Sequence, residues 1–399
     1  MGVTSIPYGH QQITEADIKA VVAVLKSEYL TQGPRIDAFE KVFANYIGSK
    51  YAVAVANGTA ALHLSAIALG VVPGKRVISS PLTFAASTNC VLYCGGTIEF
   101  CDIDPQTLLL DINLVRKKLE SSPKDTYAGI IPVDFAGAAV DMEAFRLLAD
   151  EFNLFLLEDS CHAPGGYFID SKGQKQFCGN CNYADAAIFS FHPVKHITCG
   201  EGGMITTNNS YLAQQSRKFA GIGYKHLTAN AGETHLARNE VQDPSYARFD
   251  TVGFNYRMND IQAGLGLSQL KRLELIVKER NTLFENYKKN LLSNDLRMIE
   301  IPDGVYSALH LAILRFKEFD LQSKLYENLR KSSIGTQVHY IPVHLQPYYK
   351  NNFGFKEGDF PESEYYSKTC LSLPLYSRMQ YDDQSRVIES ILTIVGSNY

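Results

Sequence analysis

Between residues 51 and 208 the chain keeps returning to one pattern, a short apolar run followed by a stretch of helical spacing. YAVAVANG (51–58), RVISSP (76–81), TIEFCDID (97–104), GIIPVDF (129–135), LFLLEDS (154–160), AAIFSF (186–191) and GGMITTN (202–208) are the apolar runs. Helix-like stretches at 84–94, 111–120 and 141–153 separate several of them, and TAALHLSAIALG continues straight from the first. Apolar strands that alternate with helices are buried on both faces and run mostly parallel. The pattern therefore predicts an α/β fold with a mostly parallel seven-stranded sheet between layers of helices. Ligands in such sheets bind beyond the carboxyl ends of the strands, so the residues just after each run are the first candidates for a site.

Two helices precede the sheet. Thr14 is placed as an N-cap, with acidic residues at 15 and 17 and Ile18, Val21, Val22 and Leu25 at helical spacing. The second helix follows the Gly-Pro pair at 33–34, with Ile36, Phe39, Val42, Phe43 and Tyr46 on one face. From about 210 to 255 the chain is polar and poorly patterned, which predicts a long loop. A long helical region over 260–292 follows. After it, strands (ALHLAILRF and GTQVHYIPV) mix with helices (320–331 and 381–395). This organisation predicts a large α/β domain over 1–255 and a long helix with a smaller α+β domain over 256–399.

Composition narrows the function classes. A net charge of -4 and the lack of a Lys/Arg cluster argue against nucleic acid as a partner. The N-terminus lacks the basic start and apolar run of a signal peptide, and no stretch approaches ~20 apolar residues, so a cytoplasmic protein off the membrane is expected. Of the eight cysteines, Cys178 and Cys181 form a C-x-x-C with no second ligand pair nearby, which reads as a loop rather than a zinc site; no metal is expected.

Four segments at or beyond strand ends carry candidate chemistry. Asn57-Gly58-Thr59-Ala60 turns from a strand into a helix, where free N–H groups can cradle a phosphate or Gly and Thr can serve geometry alone. Glu158 and Asp159 end LFLL; buried acids there serve a metal, a protonated heterocycle, a helix cap or an ion pair. Lys195 follows FSFHPV in a partly apolar setting that can lower its pKa for Schiff-base chemistry, although a lone lysine is usually a solvated charge. Asn255 or Asn259 can cap the helix that follows. Together, a phosphate turn, an acid and a lysine suit pyridoxal 5'-phosphate (PLP).

FSFHPVKHITCGEGG, with EDSCHAPG before it and GFNYRMNDIQAGLGLSQL after it, resembles the DegT/DnrJ/EryC1/StrS family of sugar aminotransferases. IPYGHQQIT and SEYLTQGPRIDAFE near the start, and QVHYIPVHLQPYY and LSLPLY near the end, extend the likeness over nearly the whole chain. The resemblance implies a fold of the aspartate aminotransferase type (fold type I) with PLP as cofactor. It implies amino transfer from L-glutamate to a nucleotide-linked keto sugar, with greatest similarity to members that aminate C4 of a UDP-linked 4-keto-6-deoxy-N-acetyl sugar. By the same resemblance Lys195 would hold the cofactor aldehyde and shuttle a proton, and Asp159 would face the pyridine nitrogen. His162 would sit near the ring oxygen, Phe84 would stack on the ring, and Thr59, Ala60 and Ser190 would bind the phosphate. Asn255 would reach the cofactor of a neighbouring subunit, which implies a homodimer with shared sites. Tyr8, Glu28, Tyr29, Leu30, Thr31, Asn57, Gln337, Val338, His339 and Tyr340 match positions lining the sugar pocket, to which Ser190 and Asn255 also contribute. Relatives with histidine in place of the lysine are dehydratases; here position 195 is Lys and histidine falls at 196. A 3-keto or dTDP-linked acceptor, PLP-dependent sugar dehydration, and PLP binding without turnover are the other activities the resemblance leaves open.

Overall fold

The computed structural model describes residues 5–223, 249, 251–293 and 295–396. The strands to residue 207 are β1 (Tyr51–Val55), β2 (Arg76–Ser79), β3 (Thr97–Phe100), β4 (Tyr127–Ile131), β5 (Phe155–Asp159), β6 (Tyr167–Ile169), β7 (Lys175–Phe177), β8 (Ala186–Ser190) and β9 (Gly203–Thr207). All except the β6–β7 hairpin join one sheet in the order β1-β9-β8-β5-β4-β2-β3. Each of the seven expected apolar runs contributes one strand. Only β9 runs against the rest, pairing antiparallel with both β1 and β8. Antiparallel neighbours need no crossover helix. The β8–β9 connection is accordingly a loop, and it starts at the carboxyl end of the sheet with Lys195 on it.

Successive residues of a strand face opposite sides, and both sides here are apolar. Val77, Ile131 and Leu157 pack into the cluster on one face, and Ile78, Ile130 and Leu156 into the cluster on the other. All six are fully buried, each worth about 1.5–3 kcal/mol relative to exposure. A third cluster joins Phe39 and Phe43 of helix Pro34–Ile47 to Phe189, Phe191 and Met204.

Beyond the sheet, β10 (Leu296–Met298), β12 (Ala312–Phe316) and β13 (Cys370–Leu373) form an antiparallel sheet, while β11 (Val305–Tyr306) extends the β6–β7 hairpin. Ile313 and Leu371 of the small sheet share a hydrophobic cluster with Ile78 and Leu82. The N-terminal segment also reaches this region, since Ile6 bridges Ile334. One face of the large sheet and the small sheet thus share a single hydrophobic cluster.

Three expectations need correction. GTQVHYIPV forms no strand: after Gln337 exchanges both backbone hydrogen bonds with Ser372, the segment leaves the sheet. Pro342 has no N–H to continue a ladder. The stretch taken as loop from 210 begins with helix Ser210–Ala220, capped by Asn209. Its buried face includes Ser216 and Arg217, whose guanidinium pairs with buried Glu40, so apolar periodicity did not reveal it. Residues 224–248 and 250 of that stretch lie outside the described residues. The region 260–292 is two helices, Asp260–Leu270 and Leu273–Asn290.

Candidate active site

A cleft of about 480 Å³ opens at the carboxyl ends of β5 and β8. These strands are parallel neighbours, so the residue that ends one and the loop that leaves the other meet at one wall. Asp159 ends β5, and Lys195 follows β8 after His192-Pro193-Val194. Both line the cleft.

Asp159 is almost fully buried, which is costly for a charge unless it is hydrogen-bonded. Ser87 Oγ donates to its Oδ2 at 2.6 Å, and the Cys161 backbone N–H donates to its Oδ1 at 3.1 Å. With its proton committed to Asp159, Ser87 accepts from Thr83 Oγ1 at 2.7 Å. Ser87 stands in the first turn of helix Ala86–Tyr93, three residues after Phe84, whose ring stands exposed in the cleft wall.

On another wall, β1 passes into helix Gly58–Ala68. Asn57 caps it, its Oδ1 accepting the Ala60 N–H at 2.8 Å. The helix start lies close over β8. A Cβ on Gly58 would stand 3.0 Å from Ser190 Cβ, and one on Gly203 would stand 2.4 Å from the Asn57 carbonyl oxygen. Glycine at both positions lets the helix N-terminus meet Ser190, and N-terminal N–H groups with a hydroxyl beside them suit a phosphate.

Lys195 Nζ lies 3.3 Å from His310 Nε2. Burial pushes this amine below its ordinary value; Cys161 and Asp159 oppose the shift and Arg280 adds to it. The His310 ring packs on His162 at 4.3 Å, and His162 Nε2 is 3.2 Å from the Tyr340 hydroxyl. Burial holds both histidines well below the usual range, and the Lys195 charge acts the same way. Burial and Lys195 likewise hold His339 down to about 4. Three imidazoles held down in this way, those of His162, His310 and His339, therefore line the cleft together with Lys195 and Asp159.

Of the residues expected at the site, Tyr8, Asn57, Thr59, Phe84, Asp159, His162, Ser190, Lys195, His339 and Tyr340 line the cleft. Ala60 is buried behind its wall. Glu28, Tyr29, Leu30, Thr31, Gln337, Val338 and Asn255 do not line it. Thr31 bridges to Asn259, and Asn255 is exposed on a segment that bridges to Gly221. Asn259, not Asn255, caps the following helix, accepting the Gln262 N–H at 2.9 Å. Ser87, His310, His192, Val194 and Glu201 also line the cleft and were missed. Ser87 was within reach of helical spacing from Phe84. His310 sits inside an apolar run read as strand, and no local pattern marked it.

Behind the site, Cys178 is buried with Asp134 and Glu158, their ligand atoms within 4.8 Å of one another. Burial raises Asp134 to about 6, and burial together with Asp134 pushes Glu158 well up, as for two carboxyls holding one proton.

These features suit PLP. The glycine-cleared helix start beside Ser190 offers an anion cradle, the buried Asp159 carboxylate an acid for a ring nitrogen, and Lys195 an amine for an aldehyde. The sequence points the same way. Residues 11–392 match the model of the DegT/DnrJ/EryC1/StrS aminotransferase family. The spore coat polysaccharide biosynthesis protein SpsC of Bacillus subtilis is 37% identical over 395 residues, covering 98% of this chain and 97% of that one. The UDP-4-amino-4,6-dideoxy-N-acetyl-beta-L-altrosamine transaminase of Campylobacter jejuni is 35% identical over 396 residues, covering 98% and 97%. Among solved structures, Spr1654 of Streptococcus pneumoniae in its PLP-form is similar with a TM-score of 0.87 at 26% identity, covering 99% of this chain and 100% of that one. Its PMP-form gives the same figures.

Proposed function

This chain belongs to the DegT/DnrJ/EryC1/StrS aminotransferase family and is a PLP-dependent sugar aminotransferase, and on that premise we propose that it transfers the amino group of L-glutamate to C4 of a UDP-linked 4-keto-6-deoxy-N-acetylhexosamine. The product would be an amino sugar such as those of pseudaminic acid and related surface sugars. Whole-length similarity to the Campylobacter jejuni transaminase supports the choice of acceptor. The observation that carries the chemistry is Lys195 and Asp159 lining one cleft from adjacent strand ends.

When bound, PLP supplies an aldehyde that captures amines and a ring that withdraws electrons from the carbon beside them. The chain's own residues do the rest. Lys195 Nζ, lowered by burial, would hold the aldehyde, take the α-proton of glutamate and later deliver a proton to sugar C4. Asp159, fixed by Ser87 and the Cys161 N–H, would keep the ring nitrogen protonated. Thr59, Ala60 and Ser190 would hold the phosphate, Phe84 would cover the ring, and His162 would stand by the ring oxygen. Tyr8, Asn57, His339 and Tyr340 would contact the sugar nucleotide from the cleft walls.

The remaining expected residues, Glu28, Tyr29, Leu30, Thr31, Gln337, Val338 and Asn255, fit a homodimer in which each subunit completes the other's site. An apolar stripe at Ile18, Val22 and Leu25, close in sequence to Glu28, is exposed on the single chain. Among the described residues no helix is long and apolar enough to cross a membrane, in keeping with a cytoplasmic enzyme acting on activated sugars. The experiment is a half-reaction. PLP-loaded protein mixed with L-glutamate and no sugar should release 2-oxoglutarate in amounts matching the enzyme, and the visible absorption band should bleach. Release only with a different amino donor would overturn glutamate as the donor.

A further inference from the structure

A lysine buried in a protein usually finds a carboxylate. Lys195 does not: among the described residues the side chain within hydrogen-bonding distance of Nζ is His310, at 3.3 Å. Its surroundings hold both signs of charge. Asp159 and Cys161 at the end of β5 favour the ammonium; burial and Arg280 of helix Leu273–Asn290 oppose it. Glu201 lines the same cleft, as do His162 and His339.

The backbone around His310 is fixed and its ring is buried. Arg280 Nη1 donates to the carbonyls of Leu309 and His310 at 3.1 and 3.2 Å, and the Leu311 N–H donates to the Ala136 carbonyl at 3.3 Å. The imidazole is 5% exposed and packs on the His162 ring, and its Nδ1 has no hydrogen-bond partner. A ring this confined has one polar atom in use, the nitrogen facing Lys195. Immobilising a neighbour so firmly for one contact is what a reacting group requires, since small misplacements cost large factors in rate. A neutral imidazole can also hold an amine without trapping it as an ion pair, as an acid at this place would.

We propose that His310 is a positioning residue for the reaction, a neutral hydrogen-bond partner that aims the Lys195 amine into the cleft and keeps it unprotonated whenever it is free of the cofactor aldehyde. This rests on Lys195 being the reacting amine, as proposed above. It adds to that reading a residue from the segment leading into the small sheet, so that the amine is set by both parts of the chain.

The test uses the full chain freed of cofactor, so that sugar specificity plays no part. Amines are trace-labelled with acetic anhydride across a pH series, and the Lys195 peptide is quantified by mass spectrometry in wild type, H310A and H310Q. In wild type Lys195 should label with a midpoint below that of surface lysines. H310A admits water beside Nζ, so its midpoint should rise by about one unit, roughly a tenfold slower labelling on the acid side. H310Q keeps a neutral hydrogen-bonding group and should return towards wild type, which a purely structural role would not predict. Should H310A fail to fold by circular dichroism, H310N, which also opens space at Nζ, carries the same expectation. A folded H310A or H310N with the wild-type midpoint overturns the role of His310, and so does an H310Q that behaves as H310A. A wild-type Lys195 that labels like a surface lysine overturns the reading of Lys195 itself. Sugar amination failing while the labelling pattern holds overturns the acceptor assignment and leaves His310 in place.

Discussion

Asp159 shows how one side chain depends on another. Its carboxylate is buried and takes a 2.6 Å bond from Ser87, and hydrogen bonds to a charged group are worth about 1.5–3 kcal/mol. S87A should therefore lower kcat roughly tenfold or more and also lower the thermal midpoint by a few degrees; an unchanged kcat would mean that Asp159 does not need this donor. Among the described residues no other lysine lines the cleft, so K195A should lower kcat by at least about 10²–10⁴, the range for a lost general acid–base group. Steady-state rates with glutamate and the sugar acceptor would check both. The places of Asp159 and Lys195 in the cleft were legible in the sequence because each closely follows an apolar run, while the roles proposed for them came from the family resemblance. Ser87 and His310 were not legible. A serine in a helix and a histidine in an apolar run look ordinary until the chain folds, because their partners stand 72 and 115 residues away.

Among the elements, the strands of the large sheet were readable because burial on both faces leaves an unbroken apolar signature. Helix Ser210–Ala220 was hidden by the opposite circumstance, a buried face that includes an arginine held by Glu40 at another site. Capping chemistry was readable where it is local. Thr14 and Asp17 form the anticipated helix start as a capping box, but the sequence did not reveal that Asp17 also binds Arg272 at 2.9 Å. Burial works against the Asp17 charge, yet Arg272, Ser268 and Thr14 outweigh it and bring its pKa down from 3.8 to about 2. With the folded pKa depressed, the stability Asp17 contributes is present above its ordinary range and is lost as pH falls towards about 2. D17N leaves Arg272 largely buried without its counter-charge and should destabilise the fold by roughly 3 kcal/mol at neutral pH. The loss should shrink in acid, as denaturant titrations at two pH values would show. A constant loss would mean that Asp17 acts through packing alone.

At the scale of the whole molecule, one chain brings Lys195, Asp159, Ser190 and the helix start at Asn57 to one cleft, while Glu28, Tyr29, Leu30, Thr31, Asn255, Gln337 and Val338 do not line it. The resemblance implied a homodimer with shared sites without locating its interface, since an interface between copies leaves no periodic signal distinct from an ordinary amphipathic helix. Ile18 and Leu25 are about half exposed on the single chain. L25E should leave the subunit folded, shift the protein from dimer towards monomer in light scattering, and reduce sugar amination in parallel. Monomers of full activity would contradict shared sites. The most direct measurement for the enzyme as a whole is the fate of nitrogen. The PLP-loaded protein should be given nitrogen-15 L-glutamate and a UDP-linked 4-keto-6-deoxy-N-acetylhexosamine, and the product examined by mass spectrometry and NMR. Nitrogen-15 bonded to sugar C4, with 2-oxoglutarate formed in equal amount, is the predicted result. Nitrogen at C3, or a deoxygenated sugar that carries no label, would contradict it.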